Sequence, residues 1–285
     1  MFCSLSPFAL DGILENALRE DVGTGDITTL STMSPDRTVT GKYIAKESGV
    51  ICGLDVVRRV FALLDPSIVL EARIQDGGAV QKGDIVAIVR GNARNVLTGE
   101  RVGLNLLQHM SGVATQTARA VAAVVGTKAK IVDTRKATPG LRILDKYAVR
   151  AGGGGNHRFN LADGILIKDN HIVAAGGIAN AVRAARENAP HVLKIEVEVE
   201  NFAQLDEALS AGADIIMLDN MTIEDMRRAV ETVNGRALTE ASGNMGDKTP
   251  EQLRAVAETG VDFISIGALT HSVRALDISL KFVLE

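Results

Sequence analysis

The 285-residue sequence has no tryptophan, only 3% aromatic residues and two cysteines, Cys3 and Cys52. Two cysteines are too few for a disulfide framework or a cysteine-based metal site, which favours a reducing cytoplasm as the location. The scarcity of aromatic side chains argues against a surface on which nucleic-acid bases stack. No apolar run approaches the roughly 18 residues of a membrane-spanning helix. No Lys or Arg precedes Arg19, so the charged start of a secretory signal is missing.

Strong net charge is also absent, because 31 basic residues oppose 35 acidic ones and leave −4. The chain therefore has no overall positive field to hold nucleic acid. Hydrophobic residues make up 46% and charged residues 23%, which is typical of a globular protein rather than a disordered or collagen-like one. At roughly 150 residues per domain, the length predicts two domains, or one barrel-sized domain with an appendage.

The second half of the chain alternates short apolar runs with segments of helical period, a pattern typical of a parallel α/β sheet or barrel. The six predicted strands are Lys130–Asp133, Gly164–Lys168, Leu193–Val199, Asp214–Leu218, Ala237–Ala241 and Asp262–Ile266. Six strands are fewer than the eight of a complete barrel. An incomplete barrel and an open doubly wound sheet both accommodate six strands, and the pattern alone does not choose between them.

The first half has a different pattern, in which residues 37–91 combine β-like segments with glycine-containing turns. These segments are Thr38–Lys46, Ile68–Ile74 and Ile85–Arg90. They predict a small antiparallel or mixed layer. Residues 95–125 have a helical pattern, which Ser111-Gly112 is expected to break into two helices. We therefore predict domains at 1–112 and 113–285, with the last residues able to pack back on the first domain.

Basic side chains stand directly after predicted strands. Arg135 and Lys136 follow the strand that ends at Asp133, and Lys168 closes the next strand. Because the carboxyl ends of parallel strands build the active site in α/β folds, these cations are expected to share one site. A solvated basic turn is the alternative for the Arg135-Lys136 dipeptide taken alone.

A run of four glycines, 152–155, precedes His157 and Arg158. The run is either a flexible connection or a loop whose backbone N–H groups meet an anion, and the adjacent His-Arg pair favours the loop. From residue 133 to 171, seven Lys or Arg oppose four Asp, a local +3, while the rest of the chain carries −7. A local basic patch suits a small, multiply charged anionic substrate, because arginine holds carboxylate or phosphate bidentately.

The third predicted strand of this half places every charged residue of 194–200 on one face. A parallel strand is normally apolar on both faces, so this face must line a polar lumen, pair with cations or meet a metal; an exposed edge strand is the alternative. Glu198 and Asp219, near the ends of neighbouring strands, are expected to face one site and bind ribose hydroxyls or share Mg²⁺. Glu196, one layer deeper, is expected to neutralise Lys168.

Small residues follow the last two predicted strands and precede helical segments. They are Ser242, Gly243, Asn244, Gly267 and Ala268. Backbone N–H groups at such loops can approach a phosphate at a helix N-terminus, which predicts a sugar-phosphate pocket beside the cationic one. His271 lies just past the second loop, whereas His109 and His191 are isolated and are interpreted as structural or surface residues. No two histidines have the spacing of zinc ligands.

Together these residues resemble the quinolinate phosphoribosyltransferase family, also called carboxylating nicotinate-nucleotide pyrophosphorylases, enzymes of NAD biosynthesis. The matching motifs run in order from residue 20 to beyond residue 267 and cover nearly the whole chain. They are 20–28, 99–101 with 104–108, 133–140, 146–149, 152–158, 166–171, 196–198, 218–220 and 240–243, followed by the loop that contains Gly267-Ala268. Ala137, where the family usually has threonine, and Phe159-Asn160 depart from the pattern, and neither departure removes a charge.

The resemblance implies an α/β fold with an N-terminal open sandwich and a C-terminal incomplete six-stranded α/β barrel. It implies that quinolinate and phosphoribosyl pyrophosphate form nicotinate mononucleotide, pyrophosphate and CO₂. It also implies a homodimer or a larger assembly of identical chains, with Arg101 contributed across the interface. The implied roles are quinolinate binding by Arg101, Thr134, Arg135, Lys136, His157, Arg158 and Lys168; ribose binding or catalysis by Glu198 and Asp219, which hold Mg²⁺ directly or indirectly; and phosphate binding by Ser242, Gly243, Asn244, Gly267, Ala268 and His271.

Three other readings of the sequence remain open at this point. A relative encoded in some molybdate-transport operons shares the fold and several motifs, and its activity is not established. Lys168 at a strand end is a conceivable Schiff-base lysine, but the carboxylates of Asp169 and Glu196 would keep its amine charged. Residues 77–87 resemble part of a lipoyl or biotinyl carrier domain, with Lys46 as the conceivable acceptor.

Overall fold

The computed structural model describes residues 5–283, so Cys3 lies outside the described residues, while Cys52 is a buried free thiol. Two compact units make up the chain. The first unit contains the described residues up to Ala118, Thr138–Gly153 and the chain from Ser272 onward. The second contains Arg119–Ala137 and Gly154–His271. Two later segments of the chain therefore belong with the first unit by their contacts.

The first unit is built on an antiparallel sheet with strand order β12-β1-β5-β3, beside a two-stranded ribbon of β2 and β4. Its elements are α1 (Pro7–Val22), α2 (Ile27–Thr32), β1 (Thr38–Ala45), β2 (Gly49–Val50), α3 (Leu54–Leu64), β3 (Val69–Ala72), β4 (Ala79–Val80), β5 (Ile85–Asn92), α4 (Ala93–Ala123, which ends in the second unit), α5 (Arg142–Ala151) and β12 (Ile278–Val283). The last described strand, β12, pairs antiparallel with β1 of this unit.

A continuous apolar core forms between this sheet and the helices. Tyr43 from β1, Phe61 from α3 and Leu107 from α4 are among its buried members, and Leu280 of β12 joins them. Alternation along β1 sends one side of the strand into this core, and the helical spacing of 3 to 4 residues aligns the apolar face of α3 with it. This is the predicted open sandwich of helices on an antiparallel sheet.

The predicted break at Ser111-Gly112 is wrong, because α4 runs without interruption through both residues. Ser111 Oγ accepts a hydrogen bond from Cys52 N at 2.9 Å and is fully buried. A Cβ at Gly112 would lie 2.4 Å from the carbonyl oxygen of Arg274. Both residues are therefore small because neighbouring chain segments approach the helix closely there, and the local sequence does not reveal that reason.

The second unit is a six-stranded parallel sheet with strand order β6-β11-β10-β9-β8-β7. Its elements are β6 (Lys130–Val132), β7 (Ile165–Ile167), α6 (Asp169–Ala175), α7 (Ile178–Asn188), β8 (Ile195–Val199), α8 (Phe202–Ser210), β9 (Ile215–Asp219), α9 (Ile223–Val233), β10 (Leu238–Ser242), a 3₁₀ turn (Met245–Asp247), α10 (Pro250–Ala257), β11 (Phe263–Ser265) and α11 (Ala268–His271). All six predicted strands are present, and their ends differ from the prediction by at most two residues. Among the described residues, no helix is long and apolar enough to cross a membrane.

The strand order explains why six strands make an incomplete barrel. The first strand of this sheet, β6, pairs with the last, β11, as in a closed barrel. It does not pair with β7, the next strand in the chain, so the sheet is open between them. In that opening Gly155 forms a single parallel bridge with Val132. The opening therefore receives the segment that leads directly into His157 and Arg158.

Candidate active site

A cavity of about 640 Å³ opens at the carboxyl ends of the parallel strands, within the second unit. It brings together every predicted site residue of that unit. These residues are Thr134, Arg135, Lys136, His157, Arg158, Lys168, Glu198, Asp219, Ser242, Gly243, Asn244, Gly267, Ala268 and His271. Arg101 is exposed on α4 of the first unit and is not among the residues that line this cavity.

Strand alternation builds the wall of the cavity. On four strands, a residue at or just past the carboxyl end and the residue two positions earlier both line it, and on β8 only Glu198 does. The outer layer is Lys168, Glu198, Asp219, Ser242 and Gly267; the layer below holds Leu166, Met217, Glu240 and Ser265, with Glu196 as the corresponding residue of β8. Eight further residues line the cavity and are not predicted by the sequence: Leu166, Met217, Glu240 and Ser265 of the strands, and Asn220, Met245, Gly246 and Asp247 of the loops. The period of two was the signal that would have found the first four.

The cationic side of the cavity contains two arginines whose charges repel each other. Burial and the neighbouring Arg135 guanidinium lower the pKa of Arg158, and the carboxylate of Glu196 partly offsets them. The Arg158 guanidinium is anchored by donating to the carbonyl oxygen of Gly164 at 2.9 Å. Because like charges are held close together in a partly desolvated site, a bound anion would relieve their repulsion.

The loop that carries Arg135 and Lys136 is fixed from two sides. Lys136 N donates to Thr134 Oγ1 at 3.0 Å, and Thr270 Oγ1 donates to the Lys136 carbonyl oxygen at 2.6 Å. Thr270 is buried in α11, the short helix that follows the last strand. The first and last strands of the sheet therefore hold this cationic loop together.

Lys168 pairs with Glu198, and its Nζ lies 2.5 Å from Glu198 Oε2. The expectation that Glu196 neutralises Lys168 is therefore wrong. The register of the sheet gives the reason, because Leu166 of β7 lies beside Glu196 of β8 and Ile167 beside Val197. One step further along both strands, Lys168 reaches Glu198 and leaves Glu196 deeper in the sheet.

The segment in the barrel opening is fixed by a buried carboxylate at the end of β6. Asp133 is fully buried, and its two oxygens accept from His157 N at 2.8 Å and from Asn156 Nδ2 at 2.7 Å. Below this segment, the Nε2 atom of His157 lies 3.1 Å from Glu196 Oε2 and 3.6 Å from Glu240 Oε2. Burial, together with the charge of Glu196, raises the pKa of Glu240 to about 7. This carboxyl group therefore carries a proton for part of the time at neutral pH.

The opposite side of the cavity is a turn that only glycine can complete. Gly243 has φ +93°, and a Cβ on it would lie 2.2 Å from Asn220 Oδ1. Asn220 and Asn244 are themselves left-handed, with φ values of 53° and 49°. Asn220 Nδ2 also donates to Asp219 Oδ2 at 2.7 Å. The turn thereby joins the carboxylate of β9 to the small residues after β10.

These features define a class of protein. The carboxyl ends of parallel strands bring arginines, lysines, carboxylates and glycine-containing turns into one cavity. Such a cavity is typical of an enzyme that acts on small anionic, phosphate-bearing substrates.

Comparison with known proteins gives the family. The chain matches the family models "Quinolinate phosphoribosyl transferase, N-terminal domain" over residues 26–111 and "Quinolinate phosphoribosyl transferase, C-terminal domain" over residues 113–281. It is 46% identical over 276 residues to a probable carboxylating nicotinate-nucleotide pyrophosphorylase of Bacillus subtilis (strain 168), covering 97% of this chain and 94% of that protein. The chain belongs to the quinolinate phosphoribosyltransferase family.

Two further relatives agree with this membership. The carboxylating nicotinate-nucleotide pyrophosphorylase of Mycobacterium leprae (strain TN) is 46% identical over 273 residues, which cover 94% of this chain and 95% of that protein. The crystal structure of NadC from Streptococcus pyogenes superposes with a TM-score of 0.93 at 44% identity, covering 98% of this chain and 99% of that one. The expected fold, an antiparallel N-terminal sheet followed by a six-stranded parallel sheet, is confirmed.

Proposed function

We propose that the cavity of the second unit joins quinolinate to the ribosyl C1′ of phosphoribosyl pyrophosphate, releasing pyrophosphate, and removes the 2-carboxylate as CO₂ to give nicotinate mononucleotide. The protein is thus a decarboxylating phosphoribosyltransferase of NAD biosynthesis. The observation that carries this function is the presence, in one cavity, of four cationic side chains beside the strand-end carboxylates Glu198 and Asp219 and a glycine-dependent turn. Quinolinate supplies two carboxylates for the cations, and the second substrate supplies a ribose and phosphates for the rest.

The first chemical step creates positive charge on the sugar. As pyrophosphate leaves, C1′ becomes cation-like, and the carboxylates of Glu198 and Asp219 stabilise that charge. Glu198 also holds Lys168 in place through its Oε2 atom, so the same pair orients a quinolinate-binding cation. The turn at Ser242, Gly243 and Asn244 receives the phosphate of the nucleotide product through its backbone.

The second step needs no acid or base to break the carbon–carbon bond. Once the pyridine nitrogen is bonded to C1′ it is positively charged, and it stabilises the electron pair left on C2 as CO₂ departs. A proton from water then bonds to C2 and completes the product. Arg135, Lys136 and Arg158 hold the two carboxylates in a partly desolvated pocket, which keeps the reacting ring in one orientation.

Glu198 and Asp219 fit the preferences of Mg²⁺, which binds oxygen ligands. Among the described residues, Glu198 Oε1 and Asp219 Oδ1 have no hydrogen-bond partner, whereas the other oxygen of each accepts from Lys168 and Asn220. These two free oxygens, at the ends of neighbouring strands, would hold the ion directly or through water. Bound Mg²⁺ supplies charge neutralisation for pyrophosphate.

We also propose a homodimer in which Arg101 of one chain completes the quinolinate pocket of the other. Its exposed position on α4 and its absence from the cavity of its own chain are consistent with this role. Mixing Arg101→Ala and Arg135→Ala proteins tests it. If each dimer's site combines both chains, mixed dimers contain one intact site, and random pairing restores about one quarter of wild-type activity. No recovery after verified subunit exchange would contradict the shared site.

A reducing cytoplasm is the location we propose, because Cys52 is a free thiol.

The direct test of function is an assay of purified protein with quinolinate, phosphoribosyl pyrophosphate and Mg²⁺ that follows both nicotinate mononucleotide and CO₂. Nicotinic acid, which lacks the 2-carboxylate, is the comparison substrate. We expect product from quinolinate and little from nicotinic acid. Turnover of nicotinic acid alone would contradict the two-carboxylate argument, and turnover of neither would favour the relative of unestablished activity.

A further inference from the structure

Three side chains meet at the floor of the cavity, where His157 and Glu240 line it and Glu196 lies beneath, and the chemistry proposed above gives them no part. His157 Nε2 lies 3.1 Å from Glu196 Oε2 and 3.6 Å from Glu240 Oε2, and the ligand-type atoms of all three residues lie within 4.8 Å of one another. Glu196 and Glu240 are only 4% and 3% exposed. We call these residues the buried triad. Two carboxylates in such a place need a partner, because an unpaired buried charge is costly.

The other ring nitrogen of His157 fixes which proton the imidazole carries. Nδ1 accepts a hydrogen bond from the backbone N–H of Arg158 at 2.8 Å. A backbone N–H can only donate, so Nδ1 must present its lone pair and carry no proton. The ring proton is therefore on Nε2, the atom that faces Glu196 and Glu240. This assignment makes the imidazole neutral.

We propose that His157 is a neutral positioning residue for Arg158 and not a cationic contact of the substrate. Its Nε2–H donates to Glu196 in the sheet, and its Nδ1 accepts from the backbone N–H of Arg158. This inference rests on the proposed function, in which Arg158 binds quinolinate. Glu196 acts through His157, one step further from the substrate. Sequence resemblance had implied that His157 itself binds quinolinate; the hydrogen bonds of both ring nitrogens assign it to the protein instead.

The same hydrogen bonds complete the closure of the barrel opening. Asp133 at the end of β6 holds His157 by its backbone N–H, and Glu196 on β8 holds it by its ring. Arg158 is then held by its own N–H and by its guanidinium on Gly164. The residues after Gly155 are thus fastened to both sides of the gap between β6 and β7. A substrate-binding arginine on a segment without regular structure gains a fixed position in this way.

A divalent cation is the competing explanation for the triad. The separations of 3.1 and 3.6 Å match those between ligands about 2.1 Å from a shared zinc ion. Metal binding, however, requires the lone pair of Nε2, which would move the ring proton to Nδ1. Two protons would then face each other in the contact with the Arg158 N–H, and that hydrogen bond would be lost. The tautomer present therefore favours a hydrogen-bonded triad.

The protonation state of His157 can be measured without any activity. In protein labelled with ¹⁵N-histidine, long-range ¹H–¹⁵N correlation at pH 7.5 reports which ring nitrogens carry protons. The signal of His157 is assigned by its loss in His157→Gln, and His109, which faces buried Asp145 in the first unit, is the internal control that must remain. We expect an unprotonated Nδ1 and a protonated Nε2, with and without saturating quinolinate. A cationic ring, or a proton on Nδ1, would overturn the proposal, as would metal found in the purified protein and lost in Glu240→Gln.

Matched variants test the positioning role in the enzyme. His157→Asn keeps a neutral acceptor near Nδ1, whereas His157→Lys keeps a cation. We expect the asparagine variant to retain at least about tenfold more kcat/KM for quinolinate than the lysine variant, with KM for phosphoribosyl pyrophosphate changed much less. Glu196→Ala should raise KM for quinolinate. Glu196→Gln, whose amide oxygen still accepts from Nε2–H, should raise it less. A lysine variant as active as the asparagine one would contradict neutral positioning. If the wild type itself failed to turn over quinolinate, the proposed function would fail while the ¹⁵N result stood.

Discussion

Replacing Glu240 by glutamine should make the protein more stable at high pH. Burial and the adjacent Glu196 raise the pKa of Glu240 from its ordinary 4.5 to about 7. An acid whose pKa is raised in the folded state binds its proton more tightly there than in the unfolded chain. Folding is therefore unaffected by this group below pH 4.5, and stability is lost as pH rises through the window from 4.5 to 7. Glutamine keeps the shape of the side chain and cannot ionise.

The size of the effect follows from the shift in pKa. Each unit of difference corresponds to roughly 1.4 kcal/mol, so the ionised Glu240 costs about 3 kcal/mol above pH 7 and less than about 1 kcal/mol at pH 5. The variant therefore gains about 2 to 3 kcal/mol relative to wild type between pH 5 and pH 8. The constant cost of placing an amide in this site cancels in the comparison of the two pH values.

Urea denaturation followed by far-ultraviolet circular dichroism measures this difference, since the chain has no tryptophan for fluorescence. Protein concentration must be the same throughout, because association would add to the measured stability. Glu231→Gln, at an exposed position on α9, controls for the loss of one negative charge. A Glu240→Gln variant that lost stability between pH 5 and pH 8 would refute the reasoning. It would mean that Glu240 is ionised and paired with a charged His157, which would count against the neutral imidazole as well.

Three other perturbations test the cavity. Arg135→Ala should lower kcat/KM for quinolinate by at least about tenfold in steady-state assays, and a loss below about threefold, or ~0.7 kcal/mol, would remove Arg135 from substrate binding. Gly243→Ala should lower the free energy of unfolding by about 1 to 3 kcal/mol and raise KM for phosphoribosyl pyrophosphate, because φ is +93° and the new Cβ meets Asn220; an unchanged melting temperature would show that the turn relaxes. Removal of Mg²⁺ with a chelator should abolish turnover, and Asp219→Asn should raise the Mg²⁺ concentration for half-maximal rate; equal Mg²⁺ dependence in both proteins would separate Asp219 from the ion.

The parallel sheet could be predicted because its strands depend on local pattern. Each of the six apolar runs lies between segments of helical period, and all six became strands. The continuity of α4 could not be predicted, because the reason for Gly112 is the carbonyl of Arg274, more than 160 residues later in the chain. Likewise, β12 joins the first unit by pairing with β1, and no short-range signal specifies that pairing.

The same difference between local and long-range information separates the site residues that could be predicted from those that could not. Lys168, Glu198 and Asp219 could be predicted because each lies at or next to the end of a strand. The local sequence indicates where a strand ends. Glu240 was missed although it obeys the alternation applied to β8, since it stands two residues before Ser242 as Glu196 stands two before Glu198. The period of two, applied to every strand, would have found it.

Side-chain pairs between neighbouring strands could not be predicted from the sequence, because they depend on the register of the strands. Residues 196 and 198 point the same way, so the pattern alone allows either glutamate to meet Lys168. The register of β7 against β8 places Lys168 in contact with Glu198, and Glu196 has no lysine beside it. Because a buried carboxylate needs a donor, and the open edge of the sheet admits the segment after Gly155, the ring of His157 becomes that donor. The missing strand pair between β6 and β7 thus determines the role of the histidine.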